Sequence, residues 1–469
     1  MNDILIKNGR VYDPETGFDE IADVLVSDGK ISDVGDIGSI EGRDIQILDA
    51  AGLDVVPGFI DIHVHEDPMS GDSIDFSMER AMLRQGVTTV LGGNCGFSPD
   101  DPEKYIRYID ENGSPVNTML LQGYNMIRGR FTSEGEENKS YYKQGDVYAH
   151  ITKEQIAEAC RELRKSMELG LVGVSYGLEY TPGCEYEEIL EVSKTLKEYD
   201  NSMIAIHFRK DVDGCFESIQ ECIDLSRDSG VPLEFSHIGS CSGYADTDYM
   251  DRSLDMLRKA REEGVDIIAD CYPYDAFSSL VGSAVFDGDC FSKWKVGYDA
   301  ILPVQGRYKN QRCTEETFRY IRENEPDTRV VAFVMKEENI MQAYKDETMI
   351  VASDGKFIRD QGHARTAGTF PRVLGRYVRE FGVLSFNEAV RKMTLLPAVR
   401  LHLKNKGRIQ PGMDADITIL DRNTVADGNT YTDPAKPPEG IKYVMIGGRI
   451  VLEGNDIICG SAGKFIKRQ

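Results

Sequence analysis

The chain has 469 residues, of which 41% are hydrophobic and 28% are charged. This length and balance are those of an ordinary globular protein and exclude a disordered chain. The formal net charge of −25 argues against a nucleic-acid-binding surface, which depends on Lys and Arg, and no apolar run reaches the roughly 18 residues of a membrane span.

The N-terminal sequence and the cysteines bear on the cellular compartment. The first residues lack the basic segment and the long apolar core of a secretory signal. The ten cysteines are scattered, and none forms a CxxC pair. We therefore expect a cytoplasmic protein whose thiols are reduced and mostly buried.

Short strands broken by Gly, Asn and Asp are predicted at both ends of the chain. They fall near residues 4–6, 24–26, 30–31 and 45–48, and near residues 415–420, 441–445 and 449–451. This alternation is typical of antiparallel β-structure. We predict a small β-sandwich domain that residues 1–55 and 407–469 build together.

The middle of the chain repeats a strand followed by an amphipathic helix. Helical patterns at residues 153–169, 185–199, 215–229 and 249–263 separate several of the strands. The alternation predicts an α/β fold, a TIM-like (β/α)8 barrel over residues 56–406. The expected strands are residues 59–65, 88–95, 118–124, 173–180, 203–208, 233–238, 266–272 and 348–354.

The stretch between the seventh and eighth expected strands is far longer than a typical connection. Its first part, near residues 276–312, is rich in Gly, aromatic and small residues and has no clear helical period. We predict that residues 276–335 form an inserted subdomain or lid over the mouth of the barrel.

Residue types that bind metal follow the carboxyl ends of five expected strands. His63 and His65 alternate on the first strand, so both imidazoles point to one side and can bind one ion. In a β/α barrel such ends meet on one face, where active sites lie. Four imidazoles, a thiolate and a carboxylate there suit one or two Zn²⁺ ions. The candidate ligands are His63, His65, Cys95, His207, His237 and Asp354.

Each candidate ligand also has a structural interpretation. A single strand histidine is more often a hydrogen-bonded core residue, and a buried cysteine at a strand end is usually packing. Their combination on separate strands favours a metal site. Many metal-dependent barrels bridge two cations with a carboxylated lysine, but the fourth expected strand has no lysine. We expect the Cys95 thiolate to fill that role. Glu179 is a competing bridge, but we expect it to form a salt bridge at the barrel rim instead.

Four short motifs stand out: His63-Val64-His65, Asn94-Cys95-Gly96, Tyr272-Pro273-Tyr274 and Ser353-Asp354-Gly355. The first and last resemble the amidohydrolase superfamily as a whole. The other two are similar to one branch of it, the N-acyl-D-amino-acid deacylases (D-aminoacylases). The resemblance spans nearly the whole chain and implies a barrel, a small β domain from both termini and an insertion after strand seven.

The resemblance also implies roles for individual residues. It implies that Cys95, His207 and His237 hold one tightly bound Zn²⁺. A second, weaker metal position would use His63, His65, Cys95 and Asp354. At the substrate carboxylate it implies a clamp of Arg365 and one tyrosine of Tyr272-Pro273-Tyr274, with Tyr274 expected before Tyr272. His363, close to Arg365 in the chain, is expected to orient Arg365 or to contact the substrate.

Two positions depart from this branch. The second residue after the strand-six histidine is often lysine there and helps to hold the substrate carboxylate, whereas this chain has Gly239. After strand three the branch often has a histidine behind a glycine, and this chain has Tyr124. Neither change removes a candidate ligand, but the missing cation weakens recognition of a free α-carboxylate.

The leading hypothesis is a zinc-dependent hydrolase that cleaves the amide of an N-acyl-D-amino acid or a related N-acyl amine. Asp354 is the expected catalytic residue, which takes a proton from the attacking water and passes it to the departing amine. A cyclic-amide hydrolase of the dihydroorotase or hydantoinase kind is the alternative, and a non-catalytic binding protein on the same barrel is a third. The expected partner is a small molecule, neither nucleic acid nor a membrane, and a homo-oligomer stays open.

Overall fold

The two ends of the chain lie in one sheet. The computed structural model describes residues 3–38, 45–133, 145–244, 247–358 and 360–469. Its largest sheet has nine strands, five from the N-terminal part and four from the C-terminal part. They are Asp3–Asp13, Phe18–Ser27, Lys30–Gly35, Ile45–Asp49, Asp54–Pro57, Ile417–Leu420, Ile441–Ile446, Arg449–Glu453 and Asp456–Ile457.

The pairing of Asp54–Pro57 with Ile417–Leu420, which is antiparallel, joins the two chain ends. Two tight turns in this sheet, Asp28-Gly29 and Gly447-Gly448, have positive φ at both residues (50° and 78°, 53° and 76°). Such turns twist in the same sense as the strands that they connect. The predicted β-structure from both termini is therefore present as a single mixed sheet.

Parallel strands separated by helices form the middle of the chain. Three strands pair in the order Asn117–Leu120, Val87–Gly92, Phe59–Asp61. Six more form a second sheet. In sheet order these are Gln122–Gly123, Gly173–Gly177, Met203–His207, Leu233–Phe235, Ile267–Cys271 and Ile350–Val351. Each of the eight expected strands overlaps an observed one, and the observed strands are shorter.

Helices alternate with these parallel strands. The helix Lys153–Glu168 begins with a capping box, in which Thr152 and Gln155 each accept a backbone N–H of the other residue. None of the helices in the described ranges combines the length and apolar character that a membrane crossing needs. The α-helices are Ser77–Arg84, Pro102–Asn112, Tyr124–Thr132, Lys153–Glu168, Tyr186–Lys194, Cys215–Ser229, Ile238–Ser242, Thr247–Glu262, Cys290–Trp294, Glu315–Asn324, Glu337–Lys345, Arg365–Arg372, Phe386–Met393 and Leu395–Arg400.

The segment after the strand Ile267–Cys271 folds around its own small sheet. Phe277–Leu280 and Ile301–Pro303 both pair antiparallel with Arg329–Ala332. Trp294 is fully buried there, with its ring 5.7 Å from that of Phe286. Short strands and turns explain why this sequence shows no helical period. It will be called the inserted segment, residues 276–335.

Candidate metal centre

Five parallel strands deliver the candidate ligands to one place. His207 is the last residue of its strand, and the others follow their strands within four residues. One donor atom from each of His63, His65, Cys95 and Asp354 lies within 4.8 Å of the others, and the same holds for Cys95, His207 and His237. These six residues will be called the donor cluster: His63, His65, Cys95, His207, His237 and Asp354.

Cys95 links the two halves of the donor cluster. Its Sγ lies 3.3 Å from Nε2 of His63 and 3.8 Å from Nε2 of His237. Nε2 of His237 is in turn 2.9 Å from Nδ1 of His207. On the other side, Nε2 of His65 lies 3.0 Å from Oδ1 of Asp354. A single thiolate therefore stands between two groups of donors.

Three members of the donor cluster have a left-handed backbone, with φ of 53° at Cys95, 38° at His237 and 49° at Asp354. This conformation costs energy in residues other than glycine and collects at functional sites. Glycine is required beside Cys95, because a Cβ at Gly93 would lie 2.1 Å from the carbonyl oxygen of Leu121. The close contact between Gly93 and Leu121 thus fixes the turn from which the Cys95 thiol points into the donor cluster.

A carboxylate behind the cluster fixes the orientation of its imidazoles. Oδ2 of Asp270 lies 2.8 Å from Nδ1 of His63, and Oδ1 accepts the backbone N–H of His237 at 2.8 Å. A proton on Nδ1 leaves the lone pair of Nε2 free for a metal ion. The sequence analysis did not identify Asp270 as a functional residue. The feature that could have indicated it is a single aspartate inside the apolar strand Ile267–Cys271.

The Cys95 thiol is held in its ionised form. Burial opposes ionisation, but the charge of His63 and hydrogen bonds from His207 and His237 outweigh it and hold the pKa well below that of a free thiol. Burial and the neighbouring His207 lower the pKa of His237 to about 4. A thiolate together with imidazole nitrogens is the donor set that zinc prefers, so the residues fit this ion.

Asp354 is ionised as well and is paired with Arg365. Oδ2 of Asp354 lies 2.7 Å from Nη2 of Arg365, and Nε of Arg365 donates to the backbone oxygen of Asp354 at 2.8 Å. Although burial opposes it, the charges of Arg365 and His63 hold the pKa of Asp354 well below its usual range. A low pKa keeps this carboxylate ionised at neutral pH, as a proton acceptor must be.

Arg365 begins the helix Arg365–Arg372 and is buried, with 4% of its surface exposed. Its guanidinium carbon lies 4.4 Å above the ring of Tyr272. Nη1 has no hydrogen-bond acceptor among the described residues. This N–H group is a donor without a protein partner beside the candidate base.

The other predicted substrate residues differ in their positions. Tyr272 lines the cavity beside the donor cluster, whereas Tyr274 does not; its ring lies under Arg372, at 4.6 Å. His363 uses both ring nitrogens within the protein: Nδ1 accepts the N–H of Arg365 and Nε2 donates to the carbonyl of Ala276, each at 2.9 Å. His363 therefore orients Arg365.

Glu179 lies next to the donor cluster, with Oε2 3.1 Å from Nε2 of His207. Its Oε1 lies 3.8 Å from Nζ of Lys293, so the expected salt bridge is present, beside the cavity that His207 lines. Burial and the charge of Asp211 raise its pKa, against the effect of His207. Glu179 lines the same cavity as His207, His237 and Asp354.

Gly239 and Tyr124, the two positions at which the sequence departs from the D-aminoacylases, both face the protein interior. A Cβ at Gly239 would lie 3.3 Å from Sγ of Cys271 and face the interior, so this position sends no side chain into the cavity. Tyr124 donates its hydroxyl to Glu188 at 2.8 Å and is fully buried. Neither supplies a cation to a substrate.

Parallel strands whose carboxyl ends carry His, Cys and Asp donors around a cavity define a metal-dependent hydrolase. Sequence profiles of the amidohydrolase family match residues 55–270 and 348–452. The chain belongs to the amidohydrolase family, and it is similar over its whole length to deacylases of N-acyl-D-amino acids.

The chain is similar to two deacylases of N-acyl-D-amino acids and to a dihydroorotase. D-aminoacylase of Alcaligenes xylosoxydans xylosoxydans is 28% identical over 99% of this chain and 98% of the relative. The crystal structure of N-acyl-D-glutamate deacylase from Bordetella bronchiseptica, complexed with zinc and a phosphonate inhibitor, is 26% identical, covers 99% of both chains and has a TM-score of 0.85. A dihydroorotase of Pelotomaculum thermopropionicum is 25% identical over 96% of this chain and 98% of the relative.

Proposed function

We propose that the protein is a zinc-dependent hydrolase that releases an amine, a D-amino acid or a close analogue, from its N-acyl form. The observation that carries this proposal is the Cys95 thiolate between two donor groups, with the ionised Asp354 at the edge of the same cavity. The relatives named for N-acyl-D-amino acids support the substrate class. A tight site of Cys95, His207 and His237, and a weaker one with His63 and His65, remain parts of the proposal.

Zinc, when bound, supplies a Lewis acid that makes water acidic near neutral pH and polarises a carbonyl oxygen. Asp354 takes the proton of the water that attacks the amide carbon and returns it to the departing nitrogen. The returned proton matters because an unprotonated amine anion leaves very poorly. Asp270 keeps His63 in the tautomer that presents Nε2.

Arg365 is the proposed clamp for the substrate carboxylate. Nη1 is an N–H donor without a protein acceptor, and a planar guanidinium suits a carboxylate. Tyr272 supports the guanidinium from below, and His363 holds the backbone of Arg365. Tyr274, the other expected clamp residue, packs on Arg372, and this scheme gives it no contact with the substrate.

We also infer that the two parallel sheets close into one (β/α)8 barrel over residues 56–406. Beside it, the nine-stranded sheet of residues 1–55 and 407–469 would fold over on itself as a β-sandwich. A parallel bridge between Val64 and Gly355 supports closure between the first and last strands. The N–H of Val172 donates to the carbonyl of Leu120 at 2.8 Å, which connects the two sheets on the other side. The inserted segment is then the wall of the cavity over the barrel mouth.

Cyclic-amide hydrolysis is the second candidate, because the dihydroorotase relative matches almost the whole chain. Against it, the strand Gly173–Gly177 contains no lysine to bridge two metals. The same assay separates the two candidates.

Protein stripped of metal and reloaded with zinc is incubated with N-acetyl and N-formyl D- and L-amino acids, dihydroorotate and hydantoin. Released amine and ring opening are followed by chromatography. The proposal predicts zinc-dependent release of amine from N-acyl-D-amino acids. Ring opening without amine release would contradict it and favour the second candidate.

A further inference from the structure

The carboxylate of Glu179 contacts the side of the His207 ring that faces away from the donor cluster. Oε2 of Glu179 lies 3.1 Å from Nε2 of His207, whereas Nδ1 of the same ring lies 2.9 Å from Nε2 of His237. A proton on Nε2 that is donated to a carboxylate leaves the lone pair of Nδ1 free for a metal ion. Glu179 is therefore placed to orient His207 as Asp270 orients His63.

The inserted segment supplies a cation to this carboxylate. Nζ of Lys293, in the helix Cys290–Trp294, lies 3.8 Å from Oε1 of Glu179 and 2.6 Å from Oδ1 of Asp211. The side chains of Glu179 and Asp211 are only 11% and 6% exposed, so solvent ions screen these charges weakly. Glu179 thus contacts a candidate zinc ligand with one oxygen and the inserted segment with the other.

Lys293 is itself held in place by Asp211 and Trp294. Nε1 of the fully buried Trp294 donates to Oδ2 of Asp211 at 2.6 Å, which leaves Oδ1 for the ammonium group. The indole packs against the rings of Phe277 and Phe286, at 5.6 and 5.7 Å. The packing of the inserted segment therefore determines where the ammonium group lies.

The charge of Lys293 also keeps two carboxylates apart from each other's repulsion. Glu179 and Asp211 both lie within 3.8 Å of Nζ, and without the ammonium group two neighbouring anions would repel each other. Asp211 is fixed by Trp294, so Glu179 is the group that would move. Its movement would break the contact with Nε2 of His207.

We propose that Lys293 and Glu179 are positioning residues of the metal centre. Lys293 holds Glu179 against Nε2 of His207, and Glu179 keeps Nδ1 of His207 directed at zinc. This inference rests on the metal centre of the proposed function and goes beyond it, because it makes the inserted segment part of that centre. The segment and zinc binding then support each other, since such coupling is reciprocal.

The test measures zinc affinity of the full chain by competition with a chelator. Loss of a carboxylate that orients a histidine ligand lowers metal affinity by about 10- to 100-fold, and we expect such a loss in Glu179→Ala. Glu179→Gln keeps an oxygen for Nε2 of His207 and should recover most of it. Lys293→Met should lose about tenfold, the lower limit of that range, because it acts through Glu179.

Two further variants and a second measurement exclude a general effect on the fold. Lys293→Arg keeps the cation and should bind zinc as the wild type does. Lys295→Met, at an exposed lysine two residues away, is the matched control and should also leave the affinity unchanged. The visible spectrum of cobalt-loaded protein reports the geometry of the ligands, so it should change in Lys293→Met and return in Lys293→Arg.

A double variant tests the route from Lys293 to His207. In the Glu179→Ala background, Lys293→Met should add little to the loss of affinity, because two residues that act through one contact are not additive. Fully additive losses would overturn the inference. Where Glu179→Ala does not fold, the comparison of Lys293→Met with Lys293→Arg decides the inference alone.

The outcomes separate this inference from the proposed function. If the wild type binds zinc and releases amine, but Lys293→Met has unchanged zinc affinity and an unchanged cobalt spectrum, the inference is overturned and the proposed function stands. A loss in Lys293→Met that Lys293→Arg does not restore also overturns it. Wild-type protein that binds no zinc would refute the inference and the proposed function together.

Discussion

Asp354→Asn should damage activity and stability through two separate interactions. The substitution keeps the shape of the side chain but removes the negative charge that pairs with Arg365 at 2.7 Å. The hydrogen bond from Nε of Arg365 to the backbone oxygen of residue 354 survives, because it does not involve the side chain. Activity should fall because an amide cannot take the proton of the attacking water.

The sizes of both effects follow from the structure. Loss of a general acid–base group lowers kcat by roughly a hundredfold to ten-thousandfold. Arg365 is 4% exposed, and removing the partner of such a buried charge costs about 3 to 5 kcal/mol of unfolding free energy. The surviving bond to the backbone places the expected loss near the lower limit.

A double variant separates the two effects. Asp354→Asn combined with Arg365→Met removes the unpaired buried cation, so the unfolding free energy in urea should recover by half or more. Its activity should stay as low as that of Asp354→Asn. Asp327→Asn, at an exposed aspartate, serves as the control for both measurements.

Two results would refute this reasoning. Full kcat in Asp354→Asn would remove the carboxylate from proton transfer. An equal loss of stability in the single and double variants would show that the unpaired guanidinium is not the cause.

The remaining predictions concern the metal, its orientation and pH. Cys95→Ala should lose tightly bound zinc as well as activity, and metal analysis that finds full occupancy would refute its role. Asp270→Asn weakens the hydrogen bond to Nδ1 of His63 and should lower metal affinity by about 10- to 100-fold; unchanged competition against a chelator would contradict this. Burial lowers the pKa of Lys392 from 10.5 to about 8. Because the unfolded chain keeps this proton to higher pH, the unfolding free energy should rise between pH 8 and 10.5 by up to about 1.4 kcal/mol per unit. Lys392→Met should remove that rise, and parallel urea-unfolding profiles of both proteins would refute it.

The order of strands and helices was predictable because apolar runs and amphipathic periods are local properties. The helix Cys215–Ser229 has the predicted bounds. The strand ends were less predictable: the strand with His63 was expected to continue to residue 65 but ends at Asp61. The turn that follows involves a contact with Ser353, whose N–H donates to the Asp61 carboxylate although it lies 292 residues later in the chain.

The family and the class of reaction were predictable because short motifs indicate them. The residues that contact these motifs in the folded chain were not predictable. Asp270 and Asp211 are single aspartates without a characteristic spacing, and only the fold places one behind His63 and the other in the cavity. Glu179 was expected in a salt bridge at the barrel rim, and only the fold shows that His207 lies beside it as well.

The most direct test of the account is anomalous diffraction from crystals of the protein loaded with zinc. The account predicts a peak about 2.3 Å from Sγ of Cys95 and about 2.0 to 2.1 Å from one ring nitrogen each of His207 and His237. A zinc peak elsewhere, or these three side chains turned away from one another with no peak among them, would contradict it.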